Sequence, residues 1–368
     1  MNDGGTTSYK SVGVDDEAAA AGLSRVAERI RATWPGATDS NPLLLDLRKF
    51  ANVVDLGGGL GIALCTDGVG SKVLIAEMLG RYDTVGIDCV AMCVNDLICV
   101  GATPVSFLDY IAVDRVEPNF MDDIARGLAA GANQANVSIA GGETAQLPSM
   151  IKGHGNGVGF DLVGMAIGTV KTDRLVVGRD TSDGDVVIGV ESSGVHSNGL
   201  TLARHVFFEK RGLSPDDMLP ELDCSIGEEL LKPTNIYVRE ALDLLAGGKI
   251  KALIHITGEG FLNLTRVEAD VGFVLDALPP VPPVFELIKK CGEVPVEEMF
   301  GVYNLGVGLC VVVSASDVDA TIGTLAEHGR QAWRIGHVDA SIPGRVEIRG
   351  CAFASGNLVG EGKKFRSA

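Results

Sequence analysis

The sequence predicts an α/β protein built as two domains, and three observations carry that prediction. Apolar runs of strand length, among them residues 105–113, 186–190 and 307–313, alternate with segments whose apolar residues recur at helical spacing. The length of 368 residues suits two domains, at about 100–200 residues each. A polar stretch at 171–185, with four aspartates and two glycines, reads as the linker. The expected division is 1–172, 173–348 and a short tail at 349–368.

The elements follow in order. Residues 1–15 are polar and glycine-rich and read as a mobile arm. Residues 16–32 put Leu23, Val26, Ala27 and Ile30 on one helical face, and a loop follows at 35–42. Residues 53–56 and 60–66 read as strands around the turn Gly57-Gly58-Gly59. Helices are expected at 71–79, 84–100 and 118–135, and strands at 105–113, 137–140 (short and buried) and 160–170. In the second half, strands are expected at 186–190, 253–256, 271–275 and 307–313. Helices are expected there at 200–210, 227–245, 283–291 and 316–328, the last capped by Ser316. The polar, basic end at 357–368 reads as loose.

Charge and composition exclude several classes. The formal charge is −17 and aromatic residues are 5% of the chain. Such a field repels phosphate backbones, and few rings are present for stacking, so a general nucleic-acid binder is excluded. Eight cysteines form no paired CxxC motifs, which points away from zinc or a disulfide framework and toward buried thiols in a reducing compartment. The N-terminus has no basic-then-apolar leader, and the run at 307–313 falls far short of the ~20 residues of a membrane span. A cytoplasmic protein without a membrane partner is expected.

The common phosphate-loop, dinucleotide, metalloprotease and hydrolase signatures are absent. Five other segments can carry chemistry. In TDGVGSK (66–72), Gly68 and Gly70 allow close backbone approach, Ser71 opens a helix N-terminus, Asp67 suits Mg²⁺ and Lys72 suits a phosphate oxygen; an ordinary strand–turn–helix link is the plain alternative. In 84–100, Val90, Val94, Leu97 and Ile98 form one stripe, with Asp88, Asn95 and Asp96 opposite, on a helix apolar nearly all round. Buried carboxylates need partners or metal, so this helix is either salt-bridged structure or a metal and nucleotide element. GGETAQLP (141–148) places Gly142 and Glu143 after a strand, where α/β folds keep ligand groups, or forms a glycine turn with an exposed glutamate. Asp67, Asp96 and Glu143 together make an oxygen set suited to Mg²⁺. SSGVHSNG (192–199) offers Ser193, His196 and Asn198 to a phosphate, with Asn198 also a candidate cap for the helix from Leu200. HITGEG (255–260) offers His255 as a substrate contact or proton shuttle, or as a hydrogen-bonded loop histidine.

Together and in this order, these segments resemble the phosphoribosylformylglycinamidine cyclo-ligase (aminoimidazole ribonucleotide synthetase) family of purine biosynthesis. Further matching pieces are SYKSVGVD (8–15), YDTVGIDCVAMCVNDLICVGATP (82–104), FLDY (107–110), PTNIYV (233–238), NLGVG (304–308) and WRIGHV (333–338). The resemblance implies a PurM-like α/β subunit of two domains, with N-terminal domains pairing into a homodimer through a shared sheet or barrel. It implies ATP bound near that interface, and conversion of formylglycinamidine ribonucleotide with ATP to aminoimidazole ribonucleotide, ADP and phosphate. It assigns Asp67, Asp96 and Glu143 to Mg²⁺, with Asp88 and Asn95 in support. It sets Lys10 over the triphosphate, Lys72 in the site, and Ser193, His196, Asn198 and His255 at the substrate.

The sequence departs from the family pattern at several points. Ser71 stands where threonine is usual, and Gln146-Leu147-Pro148-Ser149 where Glu-Met-Pro-Gly is usual. Glu259 replaces the middle glycine of HITGGG, which a positive φ would strain. The usual Gly-Phe-Gly is not recognisable in 41–55. Among other ATP-using members of the superfamily, a selenophosphate synthetase would need a reactive cysteine before Cys65. A hydrogenase-maturation protein would need a C-terminal cysteine, and Cys351 is not terminal. Thiamine-monophosphate kinase lacks SSGxHSNG. A non-catalytic nucleotide-binding protein would not need to keep Asp67, Asp96, Glu143 and Lys72.

Overall fold

The computed structural model describes residues 7–14, 16–34, 41–153 and 157–368. Two sheets organise the chain. The first contains β1 (Asn52–Asp55), β2 (Leu60–Gly68), β3 (Thr103–Val113), β4 (Ser138–Gln146) and β5 (Phe160–Lys171), in the order β1-β2-β5-β3-β4. Its pairings are antiparallel except β3 with β4. The helices of this half are α1 (Asp16–Arg31), α2 (Lys72–Leu79), α3 (Val85–Ile98) and α4 (Pro118–Ala135). α3 packs against β2, β5 and α4 and also meets the second half of the chain, which is why twelve of its fourteen residues are buried.

The second sheet holds β6 (Val186–Glu191), β7 (Ile250–His255), β8 (Gly272–Leu275), β9 (Val307–Val313), β10 (Ala332–Asp339), β11 (Arg345–Ile348), β12 (Leu358–Glu361) and β13 (Lys364–Ser367). Their order is β13-β12-β11-β8-β10-β6-β9-β7. Around them run α5 (Leu200–Arg204), α6 (Ile226–Leu231), α7 (Val238–Ala246), α8 (Pro283–Gly292), α9 (Val296–Val302) and α10 (Val318–Glu327). β9, all apolar but for one glycine, is buried at every residue, as expected of an interior strand covered on both faces.

Several sequence expectations are corrected. The short strand at 137–140 with a following loop is one continuous strand, β4, because β3 supplies a parallel ladder that carries the two glycines through. It is not buried: eight of its nine residues are exposed. The helix expected at 227–245 is two helices, α6 and α7, because the residue before a proline avoids helical backbone and Lys232, before Pro233, turns to ψ 126°. The helix expected at 200–210 is α5 followed by a π-helical stretch, His205–Lys210. α10 starts at Val318, after a 3₁₀ turn, and Ser316 does not cap it. Residues 358–367 are not loose but form β12 and β13, where Phe365 is buried with its ring tilted against Phe300. The stripe of α1 does not enter the core: Leu23, Val26 and Ile30 are exposed. Of the arm, residues 7–14 are ordered against the second half: the Tyr9 N–H donates to Glu298 Oε1 at 2.6 Å, and Lys210 Nζ donates to Thr7 Oγ1 at 3.1 Å. Residues 1–6 and 35–40, expected as arm and loop, lie outside the described residues.

Candidate functional site

α3 organises the site. Asp88 and Asn95, seven residues apart, lie along one line of a helix with 3.6 residues per turn, and Asp96 sits one step round. Asp96 faces β2 and β7. Its Oδ1 is 2.9 Å from His255 Nδ1, and its Oδ2 accepts from Cys65 Sγ at 3.7 Å. The two halves of the chain thus meet in a carboxylate–imidazole pair. His255 is buried, and its Nε2 has no hydrogen-bond partner among the described residues.

Asp67, two residues along β2 from Cys65, feels both groups. Burial pushes its carboxyl up to about 6, the charge of Asp96 adds to this, and the Gly68 N–H and His255 oppose it. The Gly68 N–H donates to Asp67 Oδ1 at 2.8 Å. The turn after Gly68 uses Gly70 at φ 69°, a left-handed conformation that favours glycine. Ser71 Oγ lies 2.9 Å from Thr201 Oγ1, another contact between the halves.

Register identifies a carboxylate that the sequence reading passed over. Asp67 on β2 pairs with Gly164 on β5, Gly164 with Asp109 on β3, and Asp109 with Gly142 on β4. Residues in one row share a face. Asp67 and Asp109 therefore point the same way, about 10 Å apart at two strand spacings, with Cys89 of α3 close to the glycine between them. A Cβ on Gly142 would lie 2.6–2.7 Å from the Asp109 carboxyl atoms, so Gly142 makes room for that group. Burial raises the Asp109 pKa. The only sequence signal was its place in FLDY. Glu143 falls in the next row, beside Tyr110, and so points to the opposite, exposed face. The set Asp67, Asp96, Glu143 does not assemble: among the described residues no three His, Cys, Asp or Glu side chains cluster closely enough to ligate an ion.

Lys72, Asp88 and Asn95 stand elsewhere than expected. Lys72 and Asp88 are fully buried and paired at 2.9 Å. Lys72 Nζ also donates to the Lys232 carbonyl at 2.5 Å. Asp88 Oδ1 accepts from the Thr234 N–H at 2.7 Å and from its hydroxyl at 2.6 Å. Asn95 donates to the Asn235 carbonyl at 2.8 Å and accepts from the Tyr237 N–H at 3.0 Å. Burial lowers the Lys72 pKa while Asp88 opposes the shift. These side chains bind the segment 233–237 to α3. Lys10 is exposed, on a 3₁₀ turn of the arm.

That same segment reaches the Ser192–Gly199 loop. Ser193 Oγ donates to the Pro233 carbonyl at 2.6 Å. His196 Nε2 accepts from the Ser193 N–H at 3.2 Å and lies 3.5 Å from the Asn235 N–H. His196 sits at φ 63°, and burial holds its pKa well below the usual histidine range, so it is neutral. With Nε2 accepting, its proton is on Nδ1, which has no partner among the described residues; Asn198 Nδ2 has none there either. Asn198 does not cap α5, whose N-cap is Gly199 at φ 78°. A Cβ at Gly308 would lie 2.1 Å from the Tyr237 hydroxyl and 2.6 Å from His196 Cε1, which explains a glycine in NLGVG. Three buried nitrogens, His196 Nδ1, Asn198 Nδ2 and His255 Nε2, are thus left unsatisfied, at about 1–3 kcal/mol each. Glu259 lies at φ −103°, so it carries no left-handed strain.

Two mixed α/β halves joined through α3, with acidic groups on one side and unpaired imidazole and amide nitrogens on the other, define a class. The chain matches the AIR synthase related protein N-terminal domain over residues 49–170 and its C-terminal domain over 182–348. It is 45% identical to the phosphoribosylformylglycinamidine cyclo-ligase of Methanothermobacter thermautotrophicus, over 93% of this chain and 97% of that one. It is 42% identical to the enzyme of the same name from Methanocaldococcus jannaschii, over 91% and 93%. The chain belongs to the phosphoribosylformylglycinamidine cyclo-ligase family. Solved structures share the fold. Thiamine-monophosphate kinase from Stenotrophomonas maltophilia matches at TM-score 0.60 and 19% identity, over 88% of this chain and 96% of that one. Hydrogenase maturation protein HypE in complex with ATP matches at 0.55 and 19%, over 80% and 83%. T. maritima PurL complexed with ADP matches at 0.53 and 15% over 82% of this chain, which spans 43% of that longer protein.

Proposed function

We propose that the seam between the two halves, which divide near residue 172, is the active site of an ATP-dependent ligase that closes formylglycinamidine ribonucleotide to aminoimidazole ribonucleotide, releasing ADP and phosphate. The Asp96–His255 pair, with Asp67 beside it, is the observation that carries the reading. A formamide oxygen is a poor leaving group. Taking the γ-phosphoryl of ATP makes it a good one, and the amidine nitrogen of the same molecule then attacks the carbon and expels phosphate. Holding both ends in one pocket supplies an effective molarity of about 10⁵ M or more in well-oriented cases. The donors His196 Nδ1–H and Asn198 Nδ2–H suit oxygen acceptors of the substrate. His255, with its Nδ1 toward Asp96, presents Nε2 to take the proton that the amidine nitrogen loses on ring closure.

The donor chemistry fits Mg²⁺. Asp67 and Asp109 are both raised by burial, which a cation would offset. Mg²⁺ takes one or two carboxylates with waters and phosphates; Asp67 would hold the ion, and it would neutralise charge on the triphosphate.

A homodimer is supported by the first sheet. β4 is an edge strand, exposed along its length, and Val105, Tyr110, Ile139 and Met165 are exposed apolar side chains of the same sheet. Such an edge invites a partner strand. All eight cysteines are free thiols, which suits a cytoplasmic setting, and no helix among the described residues is long and apolar enough to cross a membrane. The reading is tested by turnover: ADP release that requires both formylglycinamidine ribonucleotide and Mg²⁺ supports it, and release without that substrate overturns it.

A further inference from the structure

Two of the departures from the family pattern, Glu259 and the segment 41–55, meet in the structure. The Arg266 guanidinium donates to Glu259 Oε2 at 2.8 Å and stands 4.7 Å over the Phe50 ring. Lys49 Nζ donates to the Arg266 carbonyl. A narrow crevice behind these groups is lined by Phe50, Cys99, Val100, Leu253 and Ile254, the end of α3 on one side and β7 on the other. β7 ends at His255, whose Nδ1 lies 2.9 Å from Asp96 of α3, three residues before Cys99.

We infer that Lys49, Phe50, Arg266 and Glu259 form a clamp across the seam, and that Arg266 is a positioning residue that holds the His255 strand against Asp96. Glu259 fixes the guanidinium plane, Phe50 receives its face, and Lys49 grips its backbone. A planar cation over a ring is attracted by the ring quadrupole, an interaction lysine makes less well. Without the clamp the two halves sample arrangements in which His255 and Asp96 are apart. A ligand that bridges the halves then binds in proportion to the competent fraction. The clamp therefore acts on apparent affinity for the bridging substrate.

This inference rests on the reading that His255 and Asp96 belong to the active site, and the experiment separates the two. Steady-state ADP release is measured on the full chain for Arg266→Ala, Arg266→Lys, Phe50→Leu, Phe50→Trp and His255→Asn, with melting temperatures alongside. Arg266→Ala is expected to raise KM for formylglycinamidine ribonucleotide about threefold to thirtyfold, the combined worth of an exposed cation–π contact and a partly exposed ion pair, with kcat within about twofold. Phe50→Leu should raise KM about twofold to fivefold, Arg266→Lys should recover part of the loss, and Phe50→Trp should retain wild-type KM. Unchanged KM in Arg266→Ala, or a fall in kcat alone, overturns the clamp while loss of turnover in His255→Asn leaves the site standing. Wild-type turnover in His255→Asn removes the site reading itself. Should Arg266→Ala fail to fold, Phe50→Leu decides, and an unchanged KM there overturns the clamp.

Discussion

Lys72→Met separates the two roles open to this lysine. A phosphate-binding Lys72 would give a variant that is stable and inactive. The structure instead has Lys72 and Asp88 both fully buried, 2.9 Å apart. Removing the ammonium leaves Asp88 with only the Thr234 donors, and its Oδ2 already lacks a partner. Removing one partner of a buried pair costs about 3–5 kcal/mol. Unfolding entropy of about 2.1 cal/mol/K per residue, over 368 residues, is about 0.8 kcal/mol/K if the halves melt together. The expected fall in Tm is then about 4–6 °C. The double variant Lys72→Met/Asp88→Leu, which leaves no orphaned charge, should regain most of it. Differential scanning calorimetry measures both. Lys72→Met that melts with wild type and has lost turnover would refute the reasoning.

Three other outcomes are expected. Asp67 is raised to about 6 in the folded protein, against about 4 when unfolded. The folded state therefore holds the proton more tightly, and stability of the metal-free protein falls as pH rises from about 4 through about 6. Asp67→Asn should remove that slope in Tm and weaken Mg²⁺-dependent nucleotide binding in calorimetry; retained affinity would count against Asp67 as the metal-facing group. Gly142→Ala sets a methyl against the Asp109 carboxylate, so ADP release should fall about tenfold or more, with little loss of Tm because β4 is exposed; wild-type release would count against a role for Asp109. Ile139→Lys on the same edge strand should lower self-association in sedimentation equilibrium, and an unchanged mass would show that β4 is not the dimer contact.

The sequence shows the fold well where period and burial agree. The interior strand β9, the hairpin at the triple glycine and the helix α3 all carry unmistakable patterns. It misleads where partners outweigh local signals. β4 contains two adjacent glycines and polar residues, and only the ladder from β3 makes it a strand. β12 and β13 pair through a tight turn whose short strands look like a polar tail. For the site, the sequence identifies chemistry-bearing residues but not their facing. Glu143 and Gly142 are adjacent, yet a period of two sends one to the exposed face and sets the other beneath Asp109.

The same geometry gives the residues of α3 a different function from ligation. Asp88 and Asn95 grip the segment 233–237, and that segment in turn holds Ser193 and His196 through the Pro233 carbonyl and the Asn235 N–H. Asp96, one step round the helix, holds His255. One helix of the first half thus sets the position of both imidazoles of the second half. Its polar residues occur among apolar ones because each satisfies a backbone or side-chain group across the seam, and a buried hydrogen bond fixes one arrangement where an apolar contact would tolerate several. In the proposed function, where a phosphoryl donor and a ring-closing nucleophile must meet in one pocket, that fixed arrangement would be what the helix contributes.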